Sequence, residues 1–102
     1  MIYTFNSYLI VGGITDKNVK HLTTALTHTN CKLTSLSIFD DYYQMIATHE
    51  ITDKGVNHLT RALTNNNCKL KSLSLPEDVV SEKSKILIND AAKDRNCAVF
   101  YF

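Results

Sequence analysis

Three cysteines, four histidines and the acidic pair Asp40-Asp41 are residues of this chain whose types are suited to chemistry. Cys31, Cys68 and Cys97 each follow an asparagine, and that shared context predicts one structural place for all three, a partly buried thiol at a turn. Their odd number leaves at least one outside any intrachain disulfide, so a redox-sensing or intermolecular thiol stands as the alternative. Zinc needs ligands converging on one point, and neither a C-x-x-C pair nor a histidine at ligand spacing accompanies any of the three. His21 and His58 fall within helical patterns and His28 and His49 in turns, where partly solvated imidazoles are ordinary. Asp40-Asp41 has the makings of half an acid–base site, yet carboxylates in an exposed segment are usually just solvated. The sequence holds no H-E-x-x-H, no G-x-S-x-G and no Gly-rich phosphate loop, the motifs that would call for metal, acyl or phosphoryl chemistry. The expectation is a protein that is not an enzyme, with no catalytic residue, no metal ligand and no cofactor.

The elements that position these residues are short and regular. With 102 residues the chain is a single domain of modest core, able to bury about two-thirds of its unfolded surface. Its 44% apolar and 21% charged content is ordinary for a globular protein, and no linker or low-complexity run divides it. A formal charge of +1 supplies no field to draw it to nucleic acid or an anionic membrane. The longest apolar stretch, residues 8–11, is too short to span a bilayer, and the N-terminus lacks the pattern of a signal peptide. Together with the cysteine count this predicts a cytoplasmic protein in a reducing compartment.

Compared with itself at an offset of 37, the chain aligns ITDKNVKHLTTALTHTNCKLTSLSI (residues 14–38) with ITDKGVNHLTRALTNNNCKLKSLSL (residues 51–75), and 18 of 25 positions are identical. An offset of 29 places VSEKSKILINDAAKDRNCAVFYF (residues 80–102) under residues 51–73, a degenerate third copy. Each copy starts with a hydroxyl, Thr15, Thr52 or Ser81, that suits a helix N-cap, followed by Asp16, Asp53 or Glu82 at the positive end of the dipole. Val19, Leu22 and Leu26, matched by Val56, Leu59 and Leu63, form one apolar stripe at helical spacing. After Asn-Cys-Lys-Leu, period-two alternation turns Leu36 and Ile38, or Leu73 and Leu75, inward and the serines outward, which predicts a short strand. Strand and helix alternating at a fixed period predict a parallel strand ladder backed by helices.

Leu33, Leu36, Ile38, Ile51, Thr52, Asp53, Gly55, Val56, Leu59, Ala62 and Leu63, with Leu70, Leu73 and Leu75, resemble the unit L-x-x-L-x-L-x-x-N-x-[IL]-[TS]-[DE]-x-G-[VA]-x-x-L-x-x-A-L of ribonuclease-inhibitor-like leucine-rich repeats. The likeness covers residues 9–102. It implies an α/β fold, a short right-handed leucine-rich-repeat solenoid, with units at about 9–38, 39–75 and 76–102. The N-C-K-L-x-S-L string is similar to units of nucleotide-sensing innate-immune receptors and of proteins that intracellular bacteria deliver, which for the latter implies host cytoplasm. The sequence departs from the pattern in three ways. Gly12, Asp41 and Asp78 occupy the places of the family's ladder Asn or Cys. Asn18 and Ser84 stand where Gly55 conforms. Eight extra residues lie within residues 39–50, FDDYYQMIATHE.

The resemblance implies a protein–protein interaction module that docks another protein on its concave strand face. Alternation assigns Ser35, Ser37, Phe39, Ser72, Ser74, Pro76 and Tyr101 to that face. Tyr42 and Tyr43 in the insertion add two aromatics of a type enriched at interfaces, with folding back over the adjacent core as their alternative. The apolar end, Cys-Ala-Val-Phe-Tyr-Phe, predicts an exposed edge strand. Two readings of it stand: self-association through this edge or through the N-terminal strand within residues 2–11, giving a homo-oligomer and a structural role in assembly, or closure by Phe100 and Phe102 packing under the last helix.

Overall fold

Among the described residues hydroxyl side chains open three α-helices, where the sequence predicts them. Helix α1 spans Asp16–Leu26, α2 spans Asp53–Leu63 and α3 spans Glu82–Lys93. Thr15 accepts the N–H of Asn18 at 3.3 Å, Thr52 that of Lys54 at 3.3 Å, and Ser81 that of Ser84 at 3.2 Å. Each bond satisfies one of the four backbone donors that a helix start leaves unpaired. The computed structural model describes residues 2–5, 7–39 and 51–102. Asp40, Asp41, Tyr42, Tyr43 and His49 lie outside the described residues.

Among the described residues five strands form one sheet in sequence order: β1 (Ile2–Phe5), β2 (Tyr8–Gly12), β3 (Ser35–Phe39), β4 (Ser72–Leu75) and β5 (Ala98–Tyr101). β2 to β5 run parallel, and parallel neighbours require the long crossovers that the helices provide. The 37-residue offset of the sequence is also the register between β3 and β4, which pairs Ser35 with Ser72, Leu36 with Leu73 and Ser37 with Ser74. Leu36, Ile38, Leu73 and Leu75 are fully buried in one cluster with Val19, Leu26, Val56, Leu59, Leu63 and Ile88, so the helices cover a single side of the sheet. The protein is therefore mixed α/β, a four-stranded parallel sheet with three helices on one side. At the N-terminus the expected single strand is two, because β1 folds back antiparallel on β2 with Phe5 opposite Tyr8.

β5 departs from the expected equivalence. The helices keep the offset of 29, as Thr52 and Ser81 at their caps show. In the strands, Ala98 pairs with Ser72, Val99 with Leu73 and Tyr101 with Leu75, an offset of 26 (98 − 72). Three residues separate Cys68 from Ser72, whereas Cys97 adjoins Ala98 directly. Asn96, at φ 57°, makes this shortened turn in the left-handed region, a conformation that Asn adopts at helix ends. The N–H of Cys97 closes it on the Ala92 carbonyl at 2.9 Å. An odd shift exchanges the two faces of a strand. Tyr101 thus packs against the core on the helix side, correcting its assignment to the outer face, and Phe100 stands outward beside Ser74. Phe100 (56% exposed) and Phe102 (61%) do not pack under α3; Val99 and Tyr101 do that work. Pro76, expected on the outer face, is buried where it opens the short 3-10 turn Glu77–Val79.

Candidate interaction surface

Strand alternation sends a second set of side chains away from the helices, and the registers arrange them in rows. One row reads Tyr8, Ser35, Ser72, Ala98 and the next Ile10, Ser37, Ser74, Phe100. In these rows the two central strands therefore carry only serines, between Tyr8 and Ile10 on β2 and Phe100 on β5. Three strand spacings separate the two sides, roughly 14 Å between backbones, so the serines form the floor of a shallow trough. Ser35, Ser37, Ser72 and Ser74 are all half-buried. The Ser35 and Ser72 hydroxyls share a hydrogen bond of 2.8 Å, and the Tyr8 hydroxyl approaches Ser37 Oγ at 3.5 Å, the outer limit of such a bond. No side chain in either row is charged.

Phe39 ends the trough. It is half-buried and lies in register with Gly12. A Cβ built on Gly12 would come 2.3 Å from the far edge of the Phe39 ring, so the ring covers bare backbone there. Of the eight residues singled out for partner binding, the fold brings five to one face: Ser35, Ser37, Phe39, Ser72 and Ser74. Tyr101 is on the other side, and Tyr42 and Tyr43 lie outside the described residues. Tyr8, Ile10 and Phe100 were missed. The run YLIVG is apolar throughout, so it signals a strand without the alternation that would place Tyr8 and Ile10 on a face, and only the shortened turn at Asn96 reveals Phe100.

Among the described residues the groups capable of chemistry do not converge on a metal-binding cluster. Cys31 is half-buried, Cys68 and Cys97 are buried, and all three are free thiols. Burial raises the Cys97 pKa, the neighbouring Cys68 adds to this, and Arg95 opposes it; a thiol held protonated is a poor nucleophile. His28 Nδ1 accepts the N–H of Asn30 at 3.1 Å, a turn-forming role. Among the described residues no group of three or more His, Cys, Asp or Glu side chains is placed to hold a metal ion.

Polar side chains instead tie each helix to the next. Asp16 accepts the N–H groups of Thr52 at 2.7 Å and Gly55 at 3.0 Å, and Asp53 accepts that of Ser81 at 3.0 Å. At the opposite ends Asn67 donates to the Thr27 carbonyl at 3.0 Å, and Lys69 to those of Thr29 and Cys31 at 3.3 and 3.0 Å. Arg95 donates to the carbonyls of Leu63, Asn65 and Cys68. Carboxylates thus meet helix N-termini, and amide or cationic donors meet the turns at helix C-termini, each complementing the dipole of the preceding or following helix. The sequence reading assigned Asp16 and Asp53 to their own helices and missed this.

Comparison with family models and with curated proteins returns no match. Among the described residues no helix is long and apolar enough to cross a membrane.

Proposed function

We propose that the chain is a short leucine-rich-repeat array of the ribonuclease-inhibitor-like kind, and that its outer sheet face docks another protein. The observation that carries the docking is the uncharged trough: Ser35, Ser37, Ser72 and Ser74 on the floor, with Tyr8 and Ile10 on one side and Phe100 on the other. Small hydroxylated side chains admit a partner closely and offer hydrogen bonds, while aromatic rims supply apolar area. The array reading is supported by the coincidence of the 37-residue sequence offset with the β3–β4 register, and by the recurrence of cap, apolar stripe and alternating strand around one core. Tyr42 and Tyr43 follow Phe39 closely in sequence and are further contacts in this reading. Three free thiols suit a reducing compartment such as the cytoplasm. The interaction is made by the protein alone, without a cofactor.

Affinity capture followed by titration of the captured protein tests the reading. Ser37→Lys with Ser74→Lys puts two charges on the trough floor without touching the core, and should weaken binding at least about tenfold, equivalent to ~1.4 kcal/mol. Tyr42→Ala with Tyr43→Ala reports separately on the insertion. Undiminished affinity in both double variants, each folded, would overturn docking at this face.

A further inference from the structure

The end of the core formed by α3 and β5 differs in chemistry from the layers before it. Val19 and Val56, at matching places on α1 and α2, are fully buried; the residue at that place on α3 is Lys85. Ile38 and Leu75 are matched on β5 by Tyr101, and Thr23 and Thr60 on α3 by Asn89. These three replacements meet. The Lys85 ammonium lies 5.1 Å from the centre of the Tyr101 ring and 3.4 Å from carboxylate oxygens of both Glu77 and Glu82. The Tyr101 hydroxyl donates to Asn89 Oδ1 at 3.2 Å. Only 17% of the Lys85 side chain is exposed, so its stem covers the apolar end of the core while its head is held by two carboxylates and an aromatic face.

Beside this cluster β5 is the outermost strand among the described residues, with Phe100 and Phe102 exposed. A bare edge strand with exposed aromatics is a template for pairing with a second copy, and inward-pointing charge is one of the devices that prevents it. We infer that the Lys85–Tyr101 cluster is a charged plug that keeps a second copy of this chain from docking end to end, β5 against β5. Bringing two copies together there would strip water from the Glu77 and Glu82 carboxylates, 63% and 89% exposed, and set like charges against each other on both sides of a two-fold contact, which opposes association. The exposed strand is therefore held in a monomer, contrary to the self-association that its sequence alone suggests.

Sedimentation equilibrium over a range of concentrations tests this. The wild-type protein and Lys85→Arg should remain at the monomer mass of 11.5 kDa. Lys85→Val, which restores the residue type of Val19 and Val56, should shift towards twice that mass as concentration rises, and adding Phe100→Lys should return it to monomer. Circular dichroism checks that each variant is folded; if Lys85→Val is not, Lys85→Gln, which keeps the length of the stem and removes the charge, is measured in its place. A wild-type dimer dissociated by Phe100→Lys, or a folded charge-removed variant that stays monomeric, would overturn the inference.

Discussion

The Asp16 carboxylate at the start of α1 sits against the backbone of Gly55 in the first turn of α2, accepting its N–H at 3.0 Å. A Cβ added at Gly55 would lie 2.5 Å from Asp16 Oδ1 and 3.0 Å from Ile51 Cγ1. Alanine normally stabilises a helix relative to glycine by about 1 kcal/mol. Here the sign reverses. Gly55→Ala should destabilise by roughly 1–3 kcal/mol, because the carboxylate must withdraw from backbone donors that it caps. Urea denaturation checks it, with Asp16→Ala as the second arm of a double-mutant cycle. The two losses should fall short of additive, since each variant breaks the same contact.

Acid should loosen the junction between α2 and α3. The N–H of Ser81 holds the Asp53 carboxyl below its ordinary value of 3.8, helped by the Ser81 and Ser84 hydroxyls against a smaller opposing effect of desolvation. A carboxyl depressed in the folded state contributes fully above its unfolded pKa, and that contribution is lost as pH falls through the folded value. Melting temperature should therefore decline below about pH 4, and less steeply in Asp53→Asn. Parallel acid limbs in the two proteins would show that the carboxylate has no such effect.

Leu59 is 1% exposed and belongs to the cluster shared by all three helices. Leu59→Asp puts an unpaired carboxylate there, at a cost comparable with the whole stability of a domain this size. Its thermal transition should disappear at neutral pH.

Gly12 offers a gentler perturbation. The atoms that an added methyl would strike belong to the far edge of the Phe39 ring, and a ring at the end of a side chain can swing aside. Gly12→Ala should change stability by less than about 1 kcal/mol while displacing Phe39 from the end of the trough. Chemical-shift changes confined to Phe39 and its neighbours would show this; a large loss of stability would mean that the ring is fixed.

Most of the framework could be read from one dimension, because it rests on local rules. Thr15, Thr52 and Ser81 announce their helices through hydroxyl chemistry, and Leu36, Ile38, Leu73 and Leu75 announce two strands by alternation. What escaped reading depends on distance or on a count of residues in a turn. The pairing of β1 with β2 was signalled only by Asn6-Ser7 between two strand-forming runs. The face of Tyr101 hinged on three residues missing after Cys97, and parity alone decided it. The bonds from Asp16, Asn67, Lys69 and Arg95 reach across tens of residues to neighbouring layers, where no local pattern marks the acceptor or donor. Five candidate binding residues gathered on one face because the strand rule sufficed for them.

The division of each strand into leucines that hold the core and serines that do not has a consequence for how such a surface changes. The hydroxyls at Ser35, Ser37, Ser72 and Ser74 stand outside the buried cluster, so under the proposed docking exchanging them would alter recognition while leaving most of the folding free energy in place. The trough is a blank panel mounted on a fixed frame, and if it docks a partner as proposed, its specificity could be rewritten one side chain at a time.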